Sequence, residues 1–121
     1  MDQFEMRMFA MYQEPARLPD AQIEAMTFEG TLLQALELGL KRFDRKTLAK
    51  LCGIHYPHFG DLVGGKRPFP ATKLDRFCML TACEFPQQWL ELQRRRELEN
   101  YKAASAKIVG EYVQNAMLRA A

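Results

Sequence analysis

The stretch of sequence that decides the fold is RKTLAKLCGIHYPHFGDLVGGKRPFP, residues 45–70. Its apolar spacing predicts two short helices, at about 45–52 and 56–63. Gly53 lies between them and tolerates the positive φ that a tight turn between helices requires. A further turn, GGKRPFP at 64–70, follows the second helix. The stretch therefore predicts two helices joined by a tight turn and followed by a basic loop.

Apolar residues occur in this stretch where two such helices need to pack on each other and on a core. A small alanine stands where the helices approach closely, an apolar anchor follows the turn, and the second helix has two apolar positions three residues apart. The residues concerned are Leu48, Ala49, Cys52, Ile54, Phe59 and Leu62. Together with the glycine they predict a helix–turn–helix.

On these residues the segment resembles the helix–turn–helix of the phage-repressor class, the lambda repressor and Cro type of DNA-binding domain. The match counts Arg45 as the first motif position and continues downstream through the glycine–basic–basic turn at Gly65-Lys66-Arg67 to Pro70. The resemblance covers about residues 27–92. It implies an all-α fold, a lambda-repressor-like helix–turn–helix bundle, which here carries an N-terminal arm or helix and a long C-terminal helix.

The resemblance also implies roles for individual residues, because in this family the second motif helix lies in the major groove. The positions that match base-reading residues are His55, Tyr56, Pro57, His58, Gly60 and Asp61. The positions that match phosphate-contacting residues are Arg45 and Lys46 before the turn and Lys66 and Arg67 after the second helix. Helix N-termini would add backbone N–H groups directed at phosphates.

The second motif helix departs from the family pattern in its polar residues. It lacks the Gln, Asn or Arg that most readily form paired hydrogen bonds with adenine or guanine. Asp61 can accept a hydrogen bond from a cytosine amino group but repels phosphate, and Gly60 lowers helix propensity. These departures leave the base preference open, and they leave open that the fold was kept while DNA binding was lost.

The remaining segments also read as helices. We expect a helix at about 2–12, a loop at 14–20, and a helix that begins at Asp20 or Thr27 and ends at Gly39. Further helices are predicted at 71–83, with Leu74, Phe77 and Cys78 inward, and from Pro86 toward the C-terminus, with Trp89 in the core. The expected organisation is an N-terminal arm and linker at 1–26, the DNA-binding domain at 27–92 and a C-terminal helix at 93–121.

The C-terminal helix carries a wide apolar face at helical spacing. The stretch 93–100 before it is mostly polar and includes three consecutive arginines, which read as a solvated helix face or as an added phosphate contact. The apolar face would pack on residues 1–14 or on a second copy of the chain. We expect a homodimer interface formed by Tyr101, Ile108, Val109, Tyr112, Val113 and Met117.

Charge is distributed unevenly along the 121 residues. Residues 1–40 carry two bases and seven acids, residues 41–76 carry nine bases and three acids, and the remainder carries six bases and five acids. The basic middle indicates a surface that meets an anion, and the alternative is that the acidic and basic segments neutralise each other.

Composition excludes several classes of protein. No apolar run is long enough for a transmembrane helix, and the start of the chain does not resemble a secretory signal. Three cysteines are too few for a disulfide scaffold, so we expect free thiols in a cytoplasmic protein. Cys52, His55 and His58 recur every three residues, but their spacing does not favour zinc. We expect no metal, no cofactor and no catalytic site.

These observations lead to two functional hypotheses. The first is a sequence-specific DNA-binding transcriptional regulator, a repressor by resemblance, that binds a palindromic operator in double-stranded DNA as a homodimer. The second is a protein-interaction module that kept the helix–turn–helix fold, such as an antitoxin or a phage-encoded inhibitor of a host protein. The methionine-rich, acidic N-terminal arm favours the second hypothesis, because methionine surfaces adapt to protein partners.

Overall fold

The computed structural model describes residues 12–120 and is mostly helical, with no strand among those residues. The helix predicted at 2–12 lies almost wholly outside the described range. Two compact units are present, one ending at Leu90 and the other beginning at Glu91. The helices are α1 Asp20–Glu24, α2 Phe28–Leu40, α3 Arg45–Cys52, α4 Tyr56–Val63, α5 Ala71–Thr81 and α6 Phe85–Ala120.

The two motif helices, α3 and α4, lie where the sequence predicts them. Asp44 caps α3, since its carboxylate accepts hydrogen bonds from the backbone N–H and the hydroxyl of Thr47. Gly53 ends the helix in the left-handed region, at φ 73°, and its N–H donates to the carbonyl of Lys50. The positive φ that the sequence predicts for Gly53 is therefore confirmed.

The prediction that Gly39 ends the second helix is wrong. α2 begins after Thr27, whose hydroxyl accepts a hydrogen bond from the N–H of Gly30, and it continues to Leu40. Gly39 is a helical residue, and a Cβ built on it would lie 2.6 Å from Cγ2 of Thr81. It is needed for close packing between α2 and α5, not for termination.

A single apolar core fills the unit that ends at Leu90. Every apolar residue predicted to seat the motif is buried there, from the first motif helix through the second. Phe59 and Phe77 are fully buried, and their rings meet edge to face with centroids 6.3 Å apart. The predicted inward residues of α5 are buried as well, namely Leu74, Phe77 and Cys78.

The loop at 14–20 is bonded to the segment that joins α5 and α6. Ala16 donates its N–H to the carbonyl of Ala82 and accepts from the N–H of Glu84, at 2.8 and 2.9 Å. The side-chain amide of Gln88, itself buried, exchanges two hydrogen bonds with the backbone of Leu18. These bonds satisfy backbone groups of a segment that has no helix of its own.

Trp89 is half-buried, although the sequence places it in the core. Its indole N–H donates to the carbonyl of Met26 at 2.9 Å, and its ring lies 5.4 Å from that of Phe28. An indole keeps its polar edge at a hydrogen-bond acceptor, which here lies between α1 and α2. The tryptophan therefore joins the start of α2 to the start of α6.

The unit that begins at Glu91 is one continuous helix, the greater part of α6, and its side chains are exposed from residue 94 to residue 120. Over the range 12–120, no helix combines the length and the apolar character needed to cross a bilayer.

Candidate nucleic-acid interface

The first turn of α4 presents a row of exposed side chains. The four residues at 55–58 are exposed, while Gly60 and Asp61 are half-buried. His55 is the N-terminal capping residue, and its imidazole forms no capping hydrogen bond. Pro57 stands in the first turn, where its missing N–H leaves no intrahelical bond unmade. The side chains predicted to face bases therefore extend from the start of α4.

The two histidines of this turn lie side by side. Their ring centroids are 5.0 Å apart, with the rings of His55 and His58 nearly perpendicular at 77°. Both imidazoles are exposed and both can donate or accept hydrogen bonds. The pair offers a polar edge that suits either a base or a phosphate oxygen.

The acidic residue of α4 is joined to the basic turn that follows. Asp61 accepts two backbone hydrogen bonds at its carbonyl, from the N–H groups of Lys66 and Arg67. Its carboxylate also lies 3.8 Å from Nε of Arg67, and both side chains are partly exposed. The left-handed conformation of Gly65, at φ 82°, allows the chain to turn back in this way. Because Arg67 partly neutralises the carboxylate, Asp61 repels a phosphate less than its sequence position implies.

Arg45, at the start of α3, reaches across to α4. Its guanidinium lies over the ring of Phe59, with 5.7 Å between Cζ and the ring centroid. A Cβ built on Gly60 would lie 3.1 Å from Nη2 of Arg45. The glycine therefore provides space for the arginine side chain, a reason for Gly60 that sequence reasoning did not find.

A shallow cavity of about 430 Å³ lies beside the start of α4. Lys46 and Lys50 line it together with His55 and Tyr56. Lys50 was missed by the sequence analysis, although its position four residues after Lys46 places both lysines on one face of α3. Basic residues therefore lie beside the start of α4, and Lys66 and Arg67 follow its end.

The three cysteines are buried thiols of the first unit. Burial raises the pKa of Cys52 to about 12 and that of Cys78 to about 12, and it raises the pKa of Cys83 to about 11. Cys52 is one of the core residues of the first unit. Among residues 12–120, no three potential metal ligands come together.

The apolar face predicted on the C-terminal helix is exposed in the second unit. Leu98 lies on the same face of the helix and was not among the predicted interface residues. The exposed fractions of the six predicted residues range from 48% at Val113 to 75% at Tyr112. Large exposed apolar patches are typical of interaction surfaces.

Comparison with known proteins gives no match to a family model, a curated protein or a solved structure.

Proposed function

We propose that this chain is a sequence-specific DNA-binding transcriptional regulator that binds a palindromic operator as a homodimer. The observation that carries the proposal is the surface around α4. The first turn of α4 is exposed. Along the chain, Arg45 and Lys46 precede α4 and Lys66 and Arg67 follow it.

Three of these basic residues lie close to residues of α4. Arg45 lies over Phe59, Lys46 lines one cavity with Tyr56, and Arg67 lies beside Asp61. A helix whose exposed residues are bordered by positive charge suits the major groove, where phosphates flank the base edges. In this arrangement Lys46, Lys66 and Arg67 position the protein on phosphates, and the residues of α4 contact base edges.

The homodimer follows from the small size of this surface. One such domain contacts few phosphates and bases, and regulators of this kind gain affinity by reading two half-sites. The exposed apolar face of the C-terminal helix supplies an interface, since a second copy would remove Ile108, Tyr112 and Met117 from water.

The first test is selection from a library of random duplexes at about 150 mM salt, where non-specific binding is weak. We expect enrichment of a palindrome whose half-sites are separated by about one helical turn of DNA. Weak, salt-sensitive binding with no enriched sequence would contradict the proposal.

The second test measures how binding depends on salt. The double variant Lys66→Ala and Arg67→Ala should bind the selected operator more weakly and reduce the salt slope by about 3.6, since the dimer loses four phosphate contacts and each contributes about 0.9. The control Lys107→Ala removes a positive charge from the face of the C-terminal helix that lies opposite the proposed dimer interface, and it should leave the slope unchanged. Equal slopes for the wild type and the first variant would exclude this turn from the interface.

The third test concerns the homodimer. Val113→Asp places a charge in the apolar face and should give monomers with weaker operator binding, because a buried unpaired carboxylate is costly. Gln114→Asp introduces the same charge at the next exposed position and should remain dimeric. Sedimentation measures both, and a dimeric Val113→Asp would refute this assignment of the interface.

A further inference from the structure

The exposed residues of α4 include no side chain with a planar pair of hydrogen-bond donors. His55, Tyr56 and His58 offer single donors or acceptors, and Asp61 offers only acceptors when ionised. Strong discrimination of guanine requires two parallel donors that face its O6 and N7 atoms. If the recognition helix acted alone, its interface would lack this contact.

The structure supplies such a donor pair from the neighbouring helix. The guanidinium of Arg45 lies over the Phe59 ring and beside Gly60, at the middle of α4 and not at the outer end of α3. Arg45 remains exposed, so its outer N–H groups are open to a ligand. The resemblance assigns the first motif position to a phosphate contact, and the position of its guanidinium beside α4 also allows a contact with a base.

Two features hold the guanidinium in this place. The attraction between a cation and an aromatic face favours the position over Phe59, and that ring is fixed because it is fully buried. A side chain at position 60 would crowd the guanidinium, since a Cβ there lies 3.1 Å from Nη2. The carboxylate of Asp61, the acidic residue of α4, lies beside Arg67 and not beside Arg45.

We propose that Arg45 is a specificity-determining residue that reads a guanine in the major groove from its position across α4. This inference rests on the proposed function, since it assigns one base contact within the same interface. An arginine with two hydrogen bonds to guanine discriminates against other bases by about 5- to 150-fold. A phosphate contact at the same residue would give no discrimination.

The test uses the selected operator and its full set of single base-pair substitutions, with affinities measured for the full-length protein. Arg45→Ala should abolish the preference for guanine at one position of each half-site and leave the preferences elsewhere intact. Arg45→Lys keeps the charge but loses the planar fork, so the salt slope should persist while that preference falls. The matched control Lys46→Ala should weaken binding to every operator variant by a similar factor and lower the salt slope by about 1.8, since the dimer loses two phosphate contacts.

Gly60→Ala tests the same contact without altering the arginine. Its Cβ displaces the guanidinium, so the preference at the Arg45 position should fall although the helix is more stable with alanine. A uniform loss of affinity in Arg45→Ala, with every base preference intact, would overturn the inference while leaving the proposed function standing. A wild-type protein that selects no operator would overturn both.

Discussion

Gly39 offers a sharp test of the packing in the first unit. It lies inside α2, and a Cβ added to it would come within 2.6 Å of Cγ2 of Thr81 and 3.1 Å of Cδ2 of Leu48. Optimal carbon–carbon contacts are about 3.5–4.0 Å, so Gly39→Ala places its new methyl group about 1 Å too close. Both neighbours are buried, and the Thr81 hydroxyl is hydrogen-bonded to the carbonyl of Phe77.

The expected change in the free energy of unfolding combines two opposing effects. Alanine gains about 1 kcal/mol over glycine in a helix interior, while overpacking a core costs about 1–3 kcal/mol. Because neither neighbour can move into solvent, we expect an overpacking cost of about 2–3 kcal/mol, so Gly39→Ala should lose about 1–2 kcal/mol net. At about 4–8 °C per kcal/mol for a domain of 60–100 residues, thermal denaturation followed by circular dichroism resolves this difference.

The matched control is the same substitution at another helical glycine. Gly60→Ala meets only the flexible end of the exposed Arg45, so it should stabilise the protein by about 0.5–1 kcal/mol. Thr81→Ser removes the crowded methyl and keeps the hydroxyl, and it should restore stability when combined with Gly39→Ala. A Gly39→Ala protein that melts at or above the wild-type temperature would refute the packing argument, as would a lack of coupling with Thr81→Ser.

Three further predictions concern the turn, the cap of α3 and the thiols. Gly53→Ala forces a residue with a Cβ into a left-handed conformation and should destabilise the protein by about 1–2 kcal/mol, measured by urea denaturation; an unchanged midpoint would contradict the observed φ. Hydrogen bonds from Thr47 lower the pKa of Asp44 from 3.8, so the stability this carboxylate provides is present above about pH 4 and is lost as the pH falls through the lower folded-state pKa. Urea midpoints at about pH 3 and pH 6 should therefore differ more in the wild type than in Asp44→Asn, and equal differences would exclude this cap as the cause. The three buried thiols should not react with a thiol reagent at about pH 8 in the native protein, and because their pKa values are raised, stability should fall as the pH rises above about 9; rapid native labelling would contradict their burial.

Much of the first unit could be predicted because its signals are local. The bounds of α3 and α4 follow from a turn glycine and apolar residues at helical spacing, and the structure has both helices at the predicted residues. The start of α2 at Phe28 likewise follows from Thr27, one of the two starts considered. α5 ends at Thr81, two residues before the predicted end, because Ala82 adopts a left-handed conformation. Alanine rarely adopts this conformation, so the sequence does not predict it.

The sequence predicted which residues belong to the candidate site, but it did not predict which of them contact each other. The exposure of the first turn of α4 follows from the apolar pattern on its opposite face. The pairing of Asp61 with Arg67 depends on how the chain turns at Gly65, a detail that residue spacing does not specify. Lys50 was missed because its relevance depends on a cavity formed by two helices.

The sequence by itself determined α3 and α4, the tight turn at Gly53 and the basic character of the middle segment, because these depend on residues a few positions apart. Only the tertiary structure decided that Gly39 packs against Thr81 and that Arg45 lies over Phe59. These contacts join residues separated by 14 positions or more, and their distances depend on how the helices cross. A glycine in a helix therefore looks the same in the sequence whether it ends the helix, permits close packing or makes room for an arginine.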